Sequence, residues 1–168
     1  MAAHAGALER IERALAQLPE DAWQALCQSA LGQVDRRHPA RGWIQAIDRF
    51  NEARAFHHLG RVGCSDIRFA PASASARAPD LLAELGGERV ACEVKTLHLA
   101  PRATEAAIRR KIAARTADAL AQLQAVEAEL RILYLIAPDP GPLVAAILDE
   151  LADALVPDGI QLVQDRDR

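Results

Sequence analysis

The chain has 168 residues, about the size of one domain. It is 51% apolar but only 4% aromatic, which argues against the aromatic rows on which single-stranded bases stack. A net charge of −3 argues against a surface wrapped all round by nucleic acid, though not against a local basic groove. Cys27, Cys64 and Cys92 form no CxxC pair, so neither a disulfide framework nor a zinc site reads from their spacing. The first residues lack a basic stretch followed by an apolar one, and no run of 18 apolar residues occurs. A cytoplasmic chain with no membrane partner is expected.

In chain order, Leu8, Ile11, Leu15 and Leu18 recur at helical spacing, and Trp23, Leu26, Ala30 and Leu31 continue the pattern after Pro19. Residues 6–32 therefore read as a helical hairpin, and 33–40 as a linker. Trp23 and Trp43 read as core or interface anchors. A helix is expected over 42–59, with Trp43, Ile47, Phe50 and Leu59 as its apolar stripe and Gly60 as its cap. Residues 64–70 read as a short strand with Ile67 and Phe69 on one side, and 71–78 as a flexible loop. A hairpin follows over 79–97, then a helix from after Pro101 to about Leu130. Residues 131–137 read as a buried central strand, 138–141 as a turn, 143–156 as an amphipathic helix and 160–163 as a final strand.

The hairpin makes the sharpest geometric claim. Gly86-Gly87 is a two-residue turn signal between strand-like runs. If those glycines form the turn, Leu85 faces Glu88, and the same register sets Asp80 opposite Glu93. Side chains alternate, so Lys95 shares the face of Glu93, while Leu81, Ala83, Val90, Cys92 and Val94 face the other way. Two carboxylates facing each other repel, and burial raises the cost. A hard divalent cation removes the conflict, with Asp80, Glu93 and the Val94 carbonyl as ligands. Lys95 is then placed to hold an attacking water and offset charge in a transition state. The bland alternative is a solvent-facing hairpin with Glu93 and Lys95 as ordinary polar positions.

These residues, Pro79-Asp80 and then Glu93-Val94-Lys95-Thr96, resemble the motif of the PD-(D/E)xK nuclease superfamily. The resemblance covers about residues 43–137 and is nearest in pattern to small archaeal-type Holliday-junction resolvases. It implies an α/β fold of the restriction-endonuclease-like kind, a mixed central sheet flanked by helices, over 41–168. The helical hairpin, 1–40, is then an appended extension. It also implies hydrolysis of phosphodiester bonds in DNA with Mg²⁺ or Mn²⁺. Many members carry a further acid on the first core helix, which would give Glu52 a share in metal binding and catalysis; Asp48, one turn earlier, competes for that place. Such resolvases are usually basic and precede the Asp with a Ser/Gly-rich loop, whereas this chain is acidic and its loop is Ala/Ser-rich.

The densest basic stretch is Arg102, Arg109, Arg110, Lys111 and Arg115, of which Lys111 and Arg115 lie one turn apart and suit phosphate contact. His57 and His58 suit a helix C-terminus without further function, and His98 reads as a loop residue near the motif strand. No nucleophile-elbow serine and no glycine-rich phosphate loop occurs. The expectation is a metal-dependent DNA nuclease, with a homodimer suited to two-fold DNA structures. The rival is a non-cleaving module of the same fold that binds DNA or a DNA-processing partner protein.

Overall fold

The structure is a computed structural model and describes residues 2–33, 39–70, 78–100, 102–137 and 141–165. The loop expected at 71–78, most of the 33–40 linker and the turn at 138–141 lie largely outside these residues.

Helices α1 (Ala2–Leu15) and α2 (Glu20–Gln33) form the expected helical pair, and α3 (Pro39–Arg61) begins three residues before the expected start. Then come β1 (Ser65–Phe69), β2 (Leu81–Leu85), β3 (Glu88–Thr96), α4 (Glu105–Gln124), β4 (Leu130–Ile136), α5 (Pro142–Leu155) and β5 (Ile160–Asp165). The strands form one mixed sheet in the order β1-β2-β3-β4-β5. β2 runs antiparallel to both β1 and β3, and β3, β4 and β5 run parallel. The parallel steps need crossovers, which α4 and α5 provide.

The hairpin has the expected register, from Leu85↔Glu88 to Leu81↔Cys92. Its turn residues Gly86 and Gly87 have φ of 61° and 90°. Both positive values match a type I′ turn, which glycine enters without a Cβ clash.

Two cores sandwich the sheet. Leu81, Ala83, Val90, Cys92 and Val94 pack with Ala53, Phe56 and Leu59 of α3, and Ala14, Ala22 and Leu26 of the first two helices close that side. The N-terminal pair therefore shares a core with α3. Ala91, Leu133 and Leu135 face Ile108, Ile112, Ala119 and Leu123 of α4 and Val144, Ile147 and Leu148 of α5. Complete burial of Leu133 and Leu135 fits a central parallel strand covered on both faces.

Several expectations are corrected. Gly60 does not cap α3 but lies inside it. The cap is Gly63, at φ 92°, with Cys64 N–H donating to the Leu59 carbonyl and Gly63 N–H to that of Gly60. This is a Schellman ending, and the left-handed position falls three residues later than the apolar stripe suggested. Helix α4 stops at Gln124 rather than near Leu130. No breaker marks that end. Instead, Arg131 donates to the carbonyls of Leu123 and Val126, and Glu129 N–H to that of Arg89, so tertiary bonds draw the chain into β4. Neither tryptophan is core: Trp43 is 65% exposed and Trp23 36%. The buried line of α3 runs through Gly42, Ala46 and Ala53, at i, i+4 and i+11, and Trp43 lies beside it. Among the described residues, no helix is long and apolar enough to cross a membrane.

Candidate active site

The site arises from unequal strand lengths. β2 begins at Leu81, opposite Cys92, while β3 runs on to Thr96. On the β2 side the ladder ends there, and β4 continues to pair with Glu93–Thr96 on the other. This leaves a notch at the end of the hairpin. Backbone groups at such an edge require partners, and Asp80 supplies them. Its Oδ2 accepts from Val94 N–H at 2.9 Å, its carbonyl from Ala70 N–H at 2.9 Å, and its own N–H donates to Glu93 Oε2 at 3.2 Å. The expected juxtaposition of Asp80 and Glu93 is present, one pair beyond the regular ladder.

Helices from both faces reach the notch. From α3, Arg49 Nη1 donates to Glu52 Oε1 at 2.6 Å and to Asp80 Oδ1 at 2.8 Å, so one nitrogen bridges two acids. From α4, Gln122 Oε1 accepts from Lys95 Nζ at 3.0 Å, and its amide nitrogen donates to the Ala78 carbonyl at 3.3 Å. Lys95 Nζ also donates to Glu93 Oε1. Asn51 Nδ2 donates to Thr96 Oγ1 at 3.2 Å, fixing α3 against the end of β3.

A cavity of about 320 Å³ opens over this cluster. Asp80, Glu52, Arg49, Val94, Lys95 and Thr96 line its floor, with Gln45 and Asp48 from α3 and Arg115 from α4 around them. Glu93 lies beneath, fully buried at 0% exposure. That burial overturns the solvent-facing hairpin, in which Glu93 would be an ordinary polar position. Glu52, 5% exposed, is likewise no surface carboxylate. Asp48 lines the cavity but pairs with His98 at 2.7 Å, so Glu52 is the helix acid joined to Asp80.

Burial and crowding set the electrostatics. Glu93 is pushed up to about 8, first by burial and then by the Asp80 charge, with Lys95 pulling the other way. Burial, reinforced by Asp80, raises Glu52 well above the usual carboxylate range despite Arg49. Burial also holds the Cys92 thiol well above its ordinary value, leaving it inert beneath the acids.

The donor set is all hard oxygen: the carboxylates of Asp80, Glu52 and Glu93 and the Val94 carbonyl. These three acids outnumber the two cations that touch them, Arg49 and Lys95, and hard oxygens are the donors that Mg²⁺ or Mn²⁺ would take. Among the described residues no three acids, cysteines or histidines are grouped around a common point. Arg49 stands between Glu52 and Asp80, and Lys95 lies against Glu93.

The expected basic residues divide. Arg115 lines the cavity. Lys111 does not; its ammonium donates to the His98 carbonyl. Arg109 is held by Glu105 and Glu150 on the far side of its helix. His57 Nε2–H donates to the Ala14 carbonyl at 2.7 Å, and His58 packs against the Tyr134 ring, so both are structural.

Arg49 and Gln122 had not been expected. Arg49 carried a usable signal, since an Arg three residues before a Glu shares its helix face. Gln122 carried none, because its 27-residue separation from Lys95 is closed only by helix–sheet docking. No family model, no curated protein and no solved structure matches the chain.

Proposed function

We propose that the chain is a divalent-metal-dependent nuclease of the PD-(D/E)xK type, with a restriction-endonuclease-like core over 41–168, acting on DNA phosphodiesters. The observation that carries the reading is the convergence of Asp80, Glu93 and Lys95 at one notch in the sheet, with Glu52 joined to them from α3. The element order agrees with it: a helix, three antiparallel strands, a helix, then a strand parallel to the third.

In this reading Asp80, Glu52 and Glu93 hold the ion with the Val94 carbonyl. A bound Mg²⁺ or Mn²⁺ supplies charge that neutralises the phosphate and acidifies an attacking water. Lys95, steadied by Gln122, donates from Nζ toward the attacking oxygen and offsets the negative charge that grows on phosphorus oxygens. Arg115 contacts a phosphate from the cavity wall, and Lys111 one further out, positioning the backbone without reading sequence. A homodimer would present two such sites to a two-fold DNA structure.

The test is cleavage of junction, flap, nicked, linear and single-stranded DNA with Mg²⁺ or Mn²⁺, comparing wild type with Asp80→Asn and Lys95→Ala. Metal-dependent cutting that both substitutions remove is the expected result. Cutting that survives both would sink the site assignment. DNA binding with no cutting under any metal assigns the chain to the rival non-cleaving class.

A further inference from the structure

We propose that Arg49 is a resident counter-ion that holds the place of the metal and must be displaced for the ion to bind. The inference rests on the metal-site reading above and concerns how that site is kept charge-balanced between turnovers.

Three observations carry it. First, a single guanidinium nitrogen, Nη1, touches one oxygen each of Glu52 and Asp80, at 2.6 and 2.8 Å. An ion at the ordinary Mg–O distance of about 2.0–2.1 Å from those same oxygens would collide with it, so the two cations are alternatives. Second, the acids need one or the other to stay ionised. Their side chains are 6% and 11% exposed, and two buried carboxylates without a positive partner are strongly destabilising. Third, Arg49 can leave: its side chain is 32% exposed and lines the open cavity. It can therefore swing toward solvent while keeping its helix position.

The consequence is thermodynamic. If Arg49 and the metal exclude each other from the same two oxygens, their binding free energies oppose one another. Removing the arginine then tightens metal binding rather than loosening it. A merely structural arginine predicts the reverse, because its loss would disorder the ligands.

The test measures Mn²⁺ binding to the full chain by calorimetry and by electron paramagnetic resonance of the free ion, for wild type, Arg49→Met, Arg49→Lys and Asp80→Asn. Arg49→Met is expected to bind Mn²⁺ more tightly by on the order of 5- to 150-fold, the usual range for coupled sites. It should melt at a lower temperature without metal and gain more from Mn²⁺ than wild type does. Arg49→Lys, which keeps the charge on a thinner head, is expected between the two. Mn²⁺ binding that depends on Asp80 but is equal or weaker in Arg49→Met overturns the counter-ion role and leaves the metal site standing. No Mn²⁺ binding by wild type or Arg49→Met at millimolar ion overturns the metal site and this inference together. If Arg49→Met does not fold, the side-chain nitrogen resonances of Arg49 in the wild type decide the matter. They should move with Mg²⁺ at the same midpoint as ion binding, and stationary resonances during binding overturn the proposal.

Discussion

Strand β3 carries an ion-pair cluster at each end, and the two behave oppositely. At its start Arg89 holds Glu129 through three contacts, Nη2 and Nε to the carboxylate and the backbone N–H at 2.8 Å, with Glu127 alongside. All three side chains are well exposed, and Arg89 pulls Glu129 down to about 2. Four residues on, Glu93 also has a cation against it, yet it is pushed up to about 8. The difference is solvent and company. Glu129 faces its partner in water, whereas Glu93 is fully buried with Asp80 beside it, and Glu52 lies across Arg49. Desolvation and like charge outweigh a single ammonium. The first cluster is a surface tie between the hairpin and β4. The second stores a charge conflict that the fold does not need.

The largest expected effects test whether that conflict serves chemistry. Asp80→Asn or Lys95→Ala should lower the rate of metal-dependent DNA cleavage by roughly 10²–10⁴-fold, the usual range for a lost ligand or charge-stabilising group. Arg89→Ala, in the matched cluster on the same strand, should leave that rate within about twofold, as expected of a surface position. Equal losses at both ends would mean that the substitutions act through folding, and a denaturation midpoint measured on each variant separates the cases.

The pH dependence of stability sharpens the contrast. In the folded protein Glu93 titrates near 8, against about 4.5 when unfolded. Between those values the folded state holds the proton more tightly than the unfolded state does. The metal-free protein should therefore lose stability as pH rises from about 4.5 to 8, with Glu52 acting in the same direction. Glu93→Gln should flatten this limb, raising the melting temperature at pH 8 and leaving it little changed at pH 4.5. An unchanged alkaline limb in that variant would mean Glu93 ionises without cost.

How much of this was legible from sequence varies with the distance over which the determining force acts. The Asp80–Glu93–Lys95 triad was, because a two-residue turn and strand alternation fix partners by counting outward from Gly86-Gly87. Glu52 came only from the resemblance, as an acid on the first core helix, with Asp48 competing for the place. The burial of Glu52, and the bridge through Arg49, depend on how α3 docks against the notch, which no local pattern encodes. Gln122 and Arg115 come from α4 across the other face of the sheet. The Gly63 cap and the early end of α4 failed for a related reason. Local stripes mark where a helix is buried, while its terminus is set by which backbone groups find partners next.

A smaller effect concerns substrate. Arg115 lines the cavity, and no acid among the described residues is paired with it. Arg115→Ala should raise KM for DNA by about tenfold with kcat nearly constant, and lower the steepness of the salt dependence of binding by about one unit. Lys111 is tied to the His98 carbonyl and should give a weaker effect of the same kind. A fall in kcat alone at Arg115 would move that residue from phosphate positioning into the chemical step.

The smallest expected effect completes the comparison at the exposed end of β3. Glu129 titrates near 2 in the folded protein, below its ordinary value near 4.5. The stability it contributes is present above about 4.5 and is lost as pH falls toward 2, opposite in direction to the Glu93 limb. Because both partners are solvated, that contribution is small and salt-screened. Glu129→Gln should therefore leave the melting temperature at pH 7 almost unchanged in 0.5 M NaCl and slightly lower at low salt, with the acid limb only a little shallower. A large loss at high salt would show that the Arg89 contacts hold the α4–β4 connection mechanically. The surface cluster would then be a structural lock, and the two ends of β3 would differ in exposure but not in importance.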